Sequence, residues 1–193
     1  MKLPNLEIYR DEYQQNDCVK IPAFFDEITL KFVDRLFTKD FTEAHYDTIN
    51  WTEYSLSNHN STKVLDMLVN APQLIDAAKA FFQVEDIIIT SRLYYFTPQS
   101  QTETWHTDTG IFPPRFAAVR IELSKEPYEG GVFHFKKTNP EKVFNFSQGE
   151  YGDGVLFKIS DKDHAHMVDK VTKGTRRSLI LFFCVPLFVH PDP

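Results

Sequence analysis

From residue 85 onward the chain is a succession of short runs rich in β-branched and aromatic residues: EDIIITSRLYYF, FAAVRIEL, GVFHF, KVFNF, GVLFKI and SLILFFCVPLFV. Turn-forming residues separate them at TPQSQ, EPYEGG, KTNPE, SQGEYGDG and SDKD. Val, Ile, Phe and Tyr suit a pleated, half-buried surface, whereas Gly, Pro, Asn and Asp supply the backbone angles of turns. Short strands at this spacing leave few arrangements open: an antiparallel barrel or a double-sheet jelly roll.

The first half has a different texture. Asp26 is placed to cap a helix through ITLKFVDRLFTKD, with Ile28, Phe32, Leu36 and Val33 as its apolar face. Residues 39–60 are polar and aromatic without period, which predicts loop or edge strand. Asn60 or Ser61 is positioned to cap a second helix through TKVLDMLV. Asn70 and Pro72 restart the pattern as a third through QLIDAAKAFF, with Pro near the first turn. The expected fold class is therefore α+β. Residues from about 1 to 86 give mainly helical support, and residues from about 87 to 190 give the β-core of a single domain.

A chain of 193 residues with 42% apolar content has enough material for one sizeable core. Cys18 and Cys184 have no metal-type spacing and are expected as free thiols in a reducing compartment. The formal charge is −6 with Lys and Arg scattered, which argues against a nucleic-acid groove. The N-terminus lacks the apolar core of a signal peptide, and no run of about 18 apolar residues could span a membrane. A cytoplasmic location is the expectation. Nothing in the sequence sets the oligomeric state.

His-x-Asp occurs three times, at His45–Asp47, His106–Asp108 and His190–Asp192. On a strand, residues i and i+2 point the same way, so the motif sets an imidazole beside a carboxylate. An O₂-activating Fe(II) takes two imidazoles and one carboxylate on one face. The third ligand must then come from a distant strand, and only the middle copy has a full β-core downstream. His190 lies in the terminal HPDP, and His45 lies in a segment without strand period. Downstream of His106, the stretch HAHMVDKVTKGTRRSLILFF offers His166, with His164 as a competitor of the same parity. Arg176 follows His166 by ten residues. Parity puts Arg176 and Ser178 on one face, where a guanidinium fork and a hydroxyl could grip a carboxylate.

The order HTD, PYEGGVFHF, GDGVLF and HMVDKVTKGTRRSLILFF resembles the 2-oxoglutarate/Fe(II) dioxygenase superfamily, nearest its prolyl-hydroxylase-like branch, over roughly residues 88 to 185. The resemblance implies a double-stranded β-helix, a jelly-roll or cupin-like core. It implies Fe(II) held by His106, Asp108 and His166, 2-oxoglutarate anchored by Arg176 and Ser178, and a Gly130–Gly131 turn. It further implies use of O₂, release of succinate and CO₂, hydroxylation of an unactivated C–H bond, and room for stimulation by ascorbate. With Asp108 filling the carboxylate position, hydroxylation is favoured over halogenation; desaturation and ring closure stay open.

The departures from that pattern are specific. The strand after the metal pair often carries a Tyr that touches the co-substrate, but here Glu122 occupies the slot, with Arg120 two residues earlier. Tyr94 or Tyr95 could serve instead. If Arg120 and Glu122 point inward, they would suit the carboxylate and amine of a free amino acid; if outward, they are a solvated pair. Trp105 is either a pocket wall or an ordinary aromatic. His134 is expected as a packed or edge residue, and His59, Arg115 and Arg177 as surface groups. The leading substrate is an amino acid or amino-acid-like small molecule, the alternative a prolyl or other residue in a peptide. A Zn(II) hydrolase on the same ligands and a silent binding module are the competing functions.

Overall fold

The computed structural model describes residues 1–39, 41–44, 53–56, 65–100, 104–110 and 113–186. Twelve strands are described, of which seven form one antiparallel sheet: β1 (Cys18–Ile21), β2 (Phe41–Ala44), β3 (Glu53–Leu56), β4 (Ile88–Phe96), β5 (Arg115–Glu122), β9 (Gly154–Lys158) and β12 (Arg176–Cys184). Their spatial order is β1-β9-β5-β12-β4-β3-β2. A second antiparallel sheet joins β10 (His164–Val168), β7 (Phe133–Thr138) and β8 (Glu141–Phe146) in that order, and β6 (Glu129–Gly130) pairs with β11 (Val171–Lys173). This is the two-sheet jelly-roll core expected from the spacing of the apolar runs.

Alternation along β5 shows how the layers form. Ala117, Val119 and Ile121 join a cluster with Leu74, Ala78 and Phe81 on the helical side. Ala118 points the other way and packs with Phe133, Phe135, Phe157 and Phe182 between the two sheets. Arg120 and Glu122 share that inward parity. Burying each large apolar side chain contributes about 1.5–3 kcal/mol, so both faces of the main sheet are committed to packing.

The helices lie on the outer face of the main sheet. A 3₁₀ turn over Leu6–Tyr9 leads into α1 (Arg10–Asn16), followed by α2 (Glu27–Lys39) and α3 (Pro72–Phe82), with a further helical stretch over residues 65–69. The Asp26 carboxylate accepts a hydrogen bond from the Thr29 amide at 2.7 Å, capping α2 as expected. Pro72 sits in the first turn of α3, where its missing N–H costs nothing. The expected caps of the second helix, Asn60 and Ser61, fall outside the described residues.

Two expectations need correction. Among the described side chains of α2, Leu30 and Val33 are buried, whereas Ile28 is 79% and Phe32 38% exposed; the side chain of Leu36 lies outside them. The helix carries two apolar stripes, and Leu30 wins because it seats on Gly152, where a Cβ would lie 2.6 Å from Leu30 Cδ1. The first half also supplies edge strands: β1 pairs with β9 at one edge of the main sheet, and β2 and β3, within the stretch expected as loop or edge strand, extend the other. Finally, β12 starts at Arg176 and ends at Cys184, two residues before Pro186, which has no N–H to give a ladder.

Candidate active site

His106 belongs to no named strand. Its amide donates to the His166 carbonyl at 3.0 Å, and the His166 amide donates back to the His106 carbonyl at 2.9 Å. This single antiparallel bridge sets the two imidazoles side by side, with ring centroids 4.3 Å apart. Asp108, two residues on, brings Oδ2 to 3.4 Å from His166 Nε2. One ligand atom from each of the three residues lies within 4.8 Å of the others. The His106 Nδ1 is 2.7 Å from the Thr104 carbonyl. A carbonyl only accepts, so Nδ1 carries the proton and Nε2 keeps its lone pair.

Electrostatics favour the metal-binding forms. Burial, reinforced by the neighbouring His166, lowers the pKa of His106, so it is neutral at pH 7. Burial alone would raise Asp108, but the hydrogen bond with His166 and the nearby Arg115 guanidinium hold it below the usual carboxylate range. Two imidazoles and one carboxylate suit a divalent iron, and Zn(II) could use the same donors.

These three residues open on a cavity that is also lined by Tyr94, Arg120, Arg176 and Ser178, with apolar walls from Phe96, Phe133, Val168 and Ile180. Arg176 and Ser178 share a face of β12, and register pairs Ser178 with Tyr94 on one side and Glu122 on the other. That pairing decides between the two tyrosines: Tyr94 faces the cavity, and Tyr95 lies under Arg177, 5.6 Å from ring centroid to guanidinium carbon. Gly131 follows Gly130 with φ +62, and a Cβ on it would lie 3.0 Å from Arg176 Cδ. The double glycine thus leaves room for the stem of Arg176.

Arg120 and Glu122 both turn inward, 2% and 0% exposed. They do not remain a free pair for an amino acid. Glu122 Oε2 accepts from the Tyr128 hydroxyl at 2.9 Å and lies 3.4 Å from Arg120 Nη2, while Oε1 accepts from the Ser124 amide at 3.0 Å. Its oxygens are therefore engaged, and the expected amine contact does not follow. Arg120 is the member of the pair that faces the cavity. Tyr128 went unnoticed in the sequence because it lies in the EPYEGG turn, where an aromatic residue usually signals nothing.

Other residues fall elsewhere. His164, at the start of β10 two residues before His166, points inward, stacks on Phe135 and lies 3.3 Å from Asp17 Oδ2, so it is not part of the triad. His134 bonds Asn145 on the neighbouring strand. Trp105 is 44% exposed against His134 and does not line the cavity. Arg115 is not a surface group: its guanidinium stacks 3.6 Å over Phe182 and lies 3.8 Å from Asp108 Oδ1. His59 and the His45 and His190 copies of the dipeptide lie outside the described residues.

No family model and no curated protein matches the chain by sequence. Solved structures do match its fold. A 2OG-Fe(II) oxygenase family oxidoreductase from Burkholderia pseudomallei superposes with TM-score 0.75 at 17% identity, covering 95% of this chain and 93% of that one. A prolyl-4-hydroxylase from Pseudomonas putida gives TM-score 0.67 at 14% identity, covering 94% and 100%. EvdO2 from Micromonospora carbonacea, solved with 2-oxoglutarate, gives 0.62 at 13%, covering 100% and 96%. The architecture of this chain is that of 2-oxoglutarate oxygenases.

Proposed function

We propose that this protein is an Fe(II)/2-oxoglutarate-dependent oxygenase that hydroxylates an unactivated C–H bond of a small molecule. One observation carries the reading: His106, Asp108 and His166 converge within 4.8 Å on the same cavity that Arg176 and Ser178 line. A Zn(II) hydrolase would use the triad but leave the buried arginine without a task.

His106 Nε2, Asp108 and His166 Nε2 would hold the metal, with the Thr104 carbonyl fixing the His106 tautomer. Fe(II) bound there would supply activation of O₂, one oxygen atom going to succinate as 2-oxoglutarate loses CO₂ and the other to the substrate C–H bond. Arg176 binds the far carboxylate of the co-substrate through its planar fork, and Ser178 adds a hydroxyl donor. Phe96, Phe133, Val168 and Ile180 keep water from the methylene chain, which strengthens the charge pairing. Arg115 orients Asp108 from behind. A residue within a peptide is the second reading, favoured by the likeness to the Pseudomonas putida prolyl-4-hydroxylase.

The test is aerobic incubation with Fe(II), ascorbate and 2-oxoglutarate against free amino acids and Pro-containing peptides, with succinate as the readout. Succinate above the level of a His166→Ala control supports the oxygenase. Its absence with every substrate, together with Zn(II)-dependent hydrolysis, would favour the hydrolase.

A further inference from the structure

We infer that Arg120 is a second anchor for the co-substrate, gripping the same distal carboxylate as Arg176, and that Glu122 is the positioning residue that aims it. The inference rests on the oxygenase reading and adds to it a cavity with two arginines at its anchor end.

Burial makes the first point. Arg120 and Arg176 are 2% and 1% exposed and line one cavity. A guanidinium is always charged, and burying it with N–H groups unmet is costly. Arg120 Nε and Nη1 find no hydrogen-bond partner among the described residues, and neither does the Ser178 hydroxyl. A set of unmet donors around one cavity calls for an anion.

Direction makes the second. Arg120 stands opposite Ile180 on β12, two positions along from the Glu122–Ser178 pair. Its Nη2 lies 3.4 Å from Oε2 of Glu122, the residue that pairs with Ser178 across the ladder. Tyr128 holds the other side of this arrangement. Its hydroxyl donates to Glu122, and its ring lies beside Arg176 at Gly131, where one added Cβ would touch both at 3.0 Å. Arg120, Arg176 and Ser178 thus surround the same end of the cavity.

Chemistry makes the third. A carboxylate accepts from a guanidinium fork and a hydroxyl together, the donor set that Arg120 and Ser178 offer here. The apolar walls suit the methylenes that join the two ends of a keto-diacid.

The measurement is calorimetric titration of 2-oxoglutarate into Mn(II)-loaded protein under nitrogen, with no primary substrate present. Arg120→Met alone strands Glu122, so the diagnostic variant is Arg120→Met/Glu122→Gln, which removes both charges and keeps a hydrogen-bonding group for Tyr128 and Ser124. Its Tm should stay near that of the parent, and its Kd for 2-oxoglutarate should rise about 10- to 100-fold, the size of a charge-assisted hydrogen bond. Arg120→Lys should fall between the two, because a point charge replaces the fork. A double variant that folds and binds 2-oxoglutarate like the parent, while Arg176→Ala loses binding, overturns the inference and leaves the oxygenase reading standing. A parent protein that fails to bind 2-oxoglutarate overturns both.

Discussion

Replacing Gly131 by Ala places two costs on a single added carbon. The backbone there has φ +62, the left-handed region, where an L side chain costs about 1–2 kcal/mol. The new Cβ would also lie 3.0 Å from Arg176 Cδ, 3.0 Å from Tyr128 Cε2 and 3.1 Å from Val171 Cγ2. Relieving such contacts in a packed interior costs a further 1–3 kcal/mol, roughly. Gly110 separates the two effects: its φ is +77, but a Cβ on it meets nothing within 4 Å. Gly110→Ala should therefore show the backbone cost alone. The two variants should differ by about 1–3 kcal/mol, at about 2–4 °C per kcal/mol for a chain of this size, read by scanning calorimetry of the metal-free proteins. Gly131→Ala should also weaken 2-oxoglutarate binding about ten-fold, since a small displacement of an anchoring group is felt directly. Equal Tm losses in the two variants, or unchanged 2-oxoglutarate affinity in Gly131→Ala, would refute the claim that this glycine makes room for Arg176.

Three further outcomes follow from the geometry. His166→Ala should abolish stoichiometric Mn(II) or Fe(II) binding while His164→Ala retains it; the reverse pattern in metal analysis would move the distal ligand. The Asp153 carboxylate, held below the usual range against its burial by Lys20 at 2.8 Å and by the Ala23 and Glu150 amides, stabilises the fold above the unfolded pKa of about 4 and loses that contribution as pH falls through its lower folded value. Asp153→Asn should flatten acid unfolding in that window, and an unaltered profile would show the group is not linked. Burial pushes the Cys18 thiol up to about 12 and raises Cys184 as well, so neither should react with a thiol reagent at pH 7.5 until the protein unfolds; rapid labelling of the native state would count against the packing described.

The strands that announced themselves in the sequence were those long enough to carry their own pattern. β4, β5 and β12 have eight or nine residues of β-branched and aromatic character. β1 has only four, and it is a strand because β9 lies beside it, a fact no local window contains. β10 alternates as HAHMV, and parity alone made His164 and His166 equivalent; only the bridge to His106 separates them. Tyr94 and Tyr95 were likewise undecided until the β4–β12 register paired Ser178 with Tyr94. Arg115 looked like an ordinary charged strand start. Its depth comes from Phe182, which reaches it only across the ladder. The cluster of His106, Asp108 and His166 was legible because the chemistry proposed for it demands particular residue types. The network around Glu122 was not, because it depends on a turn tyrosine folding back.

The reciprocal hydrogen bonds between His106 and His166 close a loop of 60 residues, with Asp108 just inside it. Holding those ends together has an entropy cost that grows only slowly with loop length, and a single bridge is a weak latch against it. A cation bound by both imidazoles is a reversible cross-link across the same loop. It binds only the closed chain, so its free energy adds to closure in proportion to the logarithm of its concentration over its dissociation constant. The amide protons of His106 and His166 point into the latch from opposite sides, and their hydrogen exchange should slow together as metal is added. Assembly of the site and closure of the loop are thereby one equilibrium, observed from the loop's two ends.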